Sequence, residues 1–150
     1  MDGDYGQPGA EVHHFMVGEG VRMQRSFPVS NAGLTAASGF LSTCIRELGL
    51  GEAIGHRVSV ILDEVCANMI RHDASLHPGL EFSLEVEATA SGACLTISDP
   101  GQPFNPLAFR HKEQPEIGGR GITLIKGLAS AVSYERADHR NHLTITVRDN

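Results

Sequence analysis

The run from Glu81 to Ala88 alternates without a fault, with Phe82, Leu84, Val86 and Ala88 in the even places and Glu81, Ser83, Glu85 and Glu87 in the odd ones. Side chains on a strand point to opposite faces in turn, so this period of two predicts a strand with one wet face. A sheet built around it carries helices on the other face. Ser91-Gly92 then turns the chain, and Cys94 to Ser98 reads as a second strand, with Leu95 and Ile97 inward, that ends at Asp99. Earlier, Val12 to Phe27 reads as a hairpin turned at Gly18-Glu19-Gly20 and closed by Pro28. At the other end, strands Ala131 to Glu135 and His142 to Val147 flank a polar turn at Asp138 to Asn141.

The helical segments follow a different period. Ser30 caps a helix whose apolar positions Leu34, Ala37, Leu41, Cys44, Ile45 and Leu48 recur at helical spacing, with Gly49 in the place of a C-terminal cap. A second helix spans Glu52 to about His72, with Ile54, Val58, Ile61, Val65 and Met69 on one arc and Leu62 and Cys66 widening it. A short third one runs from Gly121 to Ser130. Hairpin-joined strands and grouped helices predict an α+β, two-layer sandwich: one mixed, mostly antiparallel sheet covered on one face by helices.

At 150 residues the chain suits one domain, expected over 11–150 after a flexible lead-in over 1–10. Twelve Lys+Arg against 18 Asp+Glu give a formal charge of −6. That balance argues against direct binding of nucleic acid, which rests on a surplus of cations. No apolar run approaches the ~20 residues of a bilayer-spanning helix, so no membrane partner is expected. Cys44, Cys66 and Cys94 are odd in number and set among apolar residues, which reads as buried reduced thiols. The polar first residues carry no signal-peptide pattern, and the cytoplasm is the expected address.

Three patches carry chemistry. Glu64-x-x-x-Asn68-x-x-x-His72 puts a carboxylate and an amide on one helix face, and Asn68 points within roughly 20° of Ile61, inside the apolar stripe. A carboxylate can act as a general base, and an amide oxygen is a hard ligand for Mg²⁺. Asp99-x-Gly101 follows a strand directly; the Asp can accept from an exocyclic amine, and the Gly lets backbone approach a flat ring. Gly118-Gly119-Arg120-Gly121 opens a helix, where free N–H groups and the helix dipole favour an anion. Between the last two patches, 104–120 has little periodicity and is rich in Pro and Gly, which reads as a lid. The eight histidines lack a supporting Cys or carboxylate pattern, so no structural zinc site is expected.

Together these patches resemble the N, G1 and G2 boxes of the GHKL superfamily of ATP-binding domains, the Bergerat fold. Leu62 to His72 is similar to the N box, Ile97 to Phe104 to the G1 box and Gly118 to Ile125 to the G2 box. Within the superfamily the chain most resembles the RsbW-like anti-sigma-factor serine kinases, over Phe27 to Val147. Pro103 stands where many superfamily members have a second glycine, and the Pro-Phe form occurs in that subgroup. The resemblance implies ATP and Mg²⁺ as cofactors, Asn68 holding Mg²⁺ against the phosphates, Glu64 as the base, and Asp99 recognising adenine beside Gly101. It also implies Gly119, Arg120 and Gly121 at the phosphates. The implied activity is transfer of phosphate to a serine of a STAS-domain anti-anti-sigma protein. The implied partners are that protein, a sigma factor and a second copy in a homodimer. A binding module, in which ATP sets a conformation and no phosphate moves, is the alternative.

Overall fold

Alternating strands and amphipathic helices assemble as expected in the computed structural model, which describes residues 13–17, 20–73, 79–103, 105 and 119–149. In chain order the elements are β1 (His13–Val17), β2 (Gly20–Pro28), α1 (Asn31–Glu47), α2 (Glu52–Asp73), β3 (Glu81–Thr89), β4 (Gly92–Asp99), α3 (Gly119–Leu128), β5 (Ala131–Ala137) and β6 (Arg140–Arg148). The strands form one six-stranded sheet in the order β1-β2-β3-β4-β6-β5. All five neighbouring pairs are antiparallel, so the mixed character allowed by the sequence is absent among the described residues. The crossover through α3 does lead from β4 to a strand of the same direction, β5. β6 then inserts between them and pairs antiparallel with both.

Strand parity decides which side chains reach the core. Met23, Phe27, Leu84, Val86, Leu95, Ile97, Leu143 and Ile145 are buried on the helix-covered face, where α1 lies over β2 and β3 and α2 over β4 and β6. The helices supply Phe40, Leu41, Val58, Ile61 and Leu62 to the same core. Phe27 joins the layers, its ring 5.7 Å from Phe40 and 5.6 Å from Phe82. The other face of the sheet is polar, as the alternation of β3 required. Arg22 and Glu85 pair across it at 3.2 Å. Cys94 shares that face, opposite Glu87 and Thr146. It is therefore only half-buried, unlike Cys44 and Cys66, and the expectation of three buried thiols fails at this one by parity.

Helix ends follow from local chemistry. The Ser30 Oγ accepts the Gly33 N–H at 3.0 Å and caps α1. Gly33 has to be glycine: a Cβ there would lie 1.7 Å from the Pro28 carbonyl oxygen, because the chain folds back on itself at this corner. Gly49 follows the end of α1 with φ +69°, the left-handed turn expected of it. Two boundaries differ from the sequence expectation. α3 begins at Gly119 rather than Gly121, since glycines in a first turn forfeit few intrahelical hydrogen bonds. The β5–β6 turn is Asp138-His139 alone, both at positive φ (54° and 60°), as a two-residue type I′ hairpin demands. Asn141 is consequently a strand residue. The lead-in 1–10 and nearly all of the expected lid lie outside the described residues. No described helix is long and apolar enough to cross a membrane.

Candidate functional site

Glu64 and Asn68, two members of the polar row on α2, lie where helical spacing predicts; the His72 side chain lies outside what is described. Asn68 is 5% exposed, an amide within the apolar stripe. Its Oδ1 accepts a hydrogen bond from Arg71 Nη1 at 3.0 Å. Glu64, one turn earlier, is half-buried, and among the described residues its carboxylate has no hydrogen-bond partner. Arg71 was not foreseen, although i, i+3 spacing on one helix was signal enough.

Asp99 ends β4 on the inward side and is 9% exposed. Its Oδ1 accepts from the Gly101 backbone N–H at 2.9 Å and from Asn141 Nδ2 at 3.1 Å. The first bond is an Asx turn, which fixes the chain reversal after the strand. Asn141 is buried too, and its Nδ2 also donates to the Gln102 carbonyl at 2.8 Å while its Oδ1 accepts from the Tyr134 hydroxyl at 2.5 Å. Sequence reasoning left Asn141 in a turn. The signal that would have found it is parity: it lies two residues before Leu143 and so shares the inward face of Leu143, Ile145 and Val147.

Gly119, Arg120 and Gly121 form the first turn of α3; Gly118 and the Arg120 side chain lie outside what is described. Arg57 fixes the placement of this helix. Its Nε and Nη2 donate to the Leu128 carbonyl at 3.0 and 2.8 Å, and its Nη1 to the Arg148 carbonyl at 3.0 Å. The start of α2 is thereby tied to the end of α3 and the end of β6. With α3 packed along α2, the first turn of α3 and the Asp99–Asn141 end of the sheet both lie toward the second half of α2, which carries Glu64 and Asn68. The three patches thus lie toward the same end of the sandwich.

Cys66 sits between Glu64 and Asn68 in sequence but faces the core, fully buried. Burial pushes its thiol up to about 12, with Asp63 adding to the shift, so it is no nucleophile at neutral pH.

An antiparallel sheet under helices, with the acidic-and-amide row of α2 and the Asp-x-Gly corner toward one end, defines the class first: a two-layer α+β sandwich. The chain belongs to the histidine kinase-like ATPase domain family, which residues 27–147 match. It is thus an ATP-binding, kinase-like domain, and the match bears out the resemblance to RsbW-like GHKL domains. It is 28% identical over 95 residues to the serine/threonine-protein kinase BtrW of Bordetella bronchiseptica, an alignment covering 59% of this chain and 67% of that protein. Its fold is similar to the SiaB-SiaC complex structure from Pseudomonas aeruginosa (TM-score 0.52, 19% identity, 81% of this chain and 86% of that one). It is also similar to the histidine kinase domain of the blue-light-activated kinase EL346 of Erythrobacter litoralis (TM-score 0.51, 16% identity, 81% of this chain and 61% of that one).

The Asn68 amide is the one group of the row that offers a neutral oxygen to a hard cation. An amide oxygen has two lone pairs and Arg71 takes one at Asn68, which leaves the second to accept or ligate.

Proposed function

We propose that this chain is an ATP-dependent, Mg²⁺-requiring serine-protein kinase of the anti-sigma-factor type. It would phosphorylate a serine of a STAS-domain anti-anti-sigma protein and, in its other engagement, hold a sigma factor. The observation that carries the reading is the Glu64 carboxylate, half-exposed and without a described hydrogen-bond partner, one helical turn from the buried Asn68. A module that only binds ATP needs no base there. The kinase name of BtrW supports the reading, and SiaB, similar in fold, occurs in complex with SiaC, so the fold accommodates a protein partner. The working form we propose is a cytoplasmic homodimer.

The chain's own groups divide the work. Asp99 accepts the exocyclic amine of adenine on Oδ2, since both of its described bonds fall on Oδ1. Gly101 keeps the adjoining backbone close to the ring. The amides of Gly119 and Gly121 at the start of α3 would bind the phosphates, with Arg120 supplying positive charge. Asn68 would hold Mg²⁺, which when bound neutralises phosphate charge. Glu64 takes the proton of the substrate serine as its Oγ bonds to the γ-phosphorus and the bond to the β-phosphate oxygen breaks, leaving ADP.

Incubation with γ-labelled ATP, Mg²⁺ and a STAS protein encoded in the same operon tests this. Label on a serine of that protein is the expected result. Tight ATP binding with no transfer would overturn the kinase reading in favour of a binding module.

A further inference from the structure

Three side chains of the β5–β6 hairpin bond the end of β4 and the corner after it, and a fourth holds one of the three. Arg140 donates from Nε to the Ser98 Oγ at 2.8 Å and from Nη2 to the Ser98 carbonyl at 3.0 Å, on the polar face of the sheet. Asn141, on the opposite face, donates to both Asp99 Oδ1 and the Gln102 carbonyl. Arg136 donates from Nη1 to the Gly101 carbonyl at 2.7 Å. Tyr134 fixes the Asn141 amide by donating to its oxygen. Residues 98, 99, 101 and 102 are therefore each bonded to the hairpin by at least one side chain. The register that brings these donors into place depends on the two-residue turn: one more residue between β5 and β6 would put Asn141 on the wrong face.

We infer that Asn141 and Arg136 are positioning residues for nucleobase recognition, holding Asp99 and its corner so that Oδ2 faces the exocyclic amine of the base. This rests on the reading of Asp99 given above. The physical reason is directional. A carboxylate whose one oxygen accepts two buried N–H groups is confined to a single rotamer. Its second oxygen is then aimed before any ligand arrives, which removes the ordering cost from binding. Asn is the side chain suited to this position: it donates twice through one nitrogen, while an Asp would set a second negative charge against Oδ1. Arg136 acts one step further out, by fixing the carbonyl of the residue whose N–H completes the Asx turn. Neither residue is required to touch the nucleotide.

The test compares ATP with purine riboside triphosphate, which lacks the 6-amino group, by calorimetric titration in Mg²⁺. The wild-type chain should prefer ATP by about tenfold or more, the value of one hydrogen bond to a charged acceptor. In Asn141→Ala that preference should fall by at least about threefold, and in Arg136→Ala by about twofold. Both variants should leave purine riboside triphosphate binding within about twofold of wild type, a split that a merely structural role would not produce. Equal weakening of both nucleotides, or an unchanged preference in either folded variant, overturns the inference. If Asn141→Ala does not fold, Arg136→Ala and Tyr134→Phe, at half-buried positions, decide it by the same ratio. A wild-type chain that binds ATP without preferring it to the deaminated analogue would instead overturn the reading of Asp99, and one that binds neither would overturn the site as a whole.

Discussion

At the Asp99 end of the site, the corner at 98–102 is gripped by side chains from two other strands, whereas at the other end Glu64 and Asn68 ride on one helix. There, among the described residues, their one hydrogen-bonding neighbour is Arg71, from that same helix. The difference matches what the proposed roles ask of each end. A group that recognises an unchanging ring gains from being fixed in advance. Groups that exchange a proton, or release one cation for another, have to remain available. The Asp99 end is consequently part of the fold, and the end proposed to react is mounted on it.

The largest expected effect lies at the reactive end. Glu64→Gln should lower phosphotransfer by about a thousandfold, within the range of a positioned general base. It should leave ATP affinity unchanged and thermal stability within about 0.5 kcal/mol, since the carboxylate has no described hydrogen bond to lose. Phosphate transfer, calorimetry and a thermal melt on one preparation check all three. A large loss of stability would show that Glu64 is structural and would erase the contrast between the ends.

Asp99→Ala should behave in the opposite way. ATP affinity should drop by about thirtyfold, and the fold should lose about 2 kcal/mol as well, because the Gly101 N–H and an Asn141 donor are left buried without their acceptor. If ATP binding fell while chemical denaturation stayed at the wild-type midpoint, the corner would be no more integral than the α2 row.

Much of this was legible in the sequence, for reasons that also explain what was not. β3 and α2 could be read because periods of two and 3.6 repeat over enough residues to outweigh any single side chain. Asn68 stood out because an amide inside an apolar stripe needs a reason. The Asp99 corner was legible only as a turn with a function, since hydrogen bonds between residues 42 apart leave no local trace. Asn141 was hidden by composition: Asp138 to Asn141 is uniformly polar and looks like a turn throughout. The turn itself takes only the two residues at positive φ. Carrying the parity of Val147, Ile145 and Leu143 back one step would have placed Asn141 inward. The start of α3 was misread by two residues because glycine signals a break wherever it stands.

A smaller effect is expected at Asn68. In Asn68→Ala the gain in ATP affinity that Mg²⁺ confers should shrink by about tenfold, some 1.4 kcal/mol, while affinity without Mg²⁺ is unchanged. Stability should barely fall, since Arg71 is exposed and its freed guanidinium can turn to water. Titrating ATP with and without Mg²⁺ gives the ratio directly; a wild-type ratio would remove Asn68 from the metal.

The smallest effect tests whether α2 is firm enough to serve as a platform. Cys66 lies between Glu64 and Asn68, and burial raises its thiol from the ordinary 9.0 to about 12. Folding therefore favours the protonated thiol. Its contribution is fully present below pH 9 and is lost as pH rises from there toward 12, because the unfolded chain gives up the proton first, at about 1.4 kcal/mol per pH unit. Cys44, buried in α1 and likewise raised to about 12, adds the same dependence. Stability measured by urea unfolding between pH 9 and 10.5 should fall less steeply in Cys66→Ala than in the wild type, by about one thiol's share. At pH 8 a thiol reagent should reach half-buried Cys94 well before Cys66. Equal labelling rates would mean that the middle of α2 opens readily, and a helix that opens there could not hold Glu64 and Asn68 in register with the Asp99 corner.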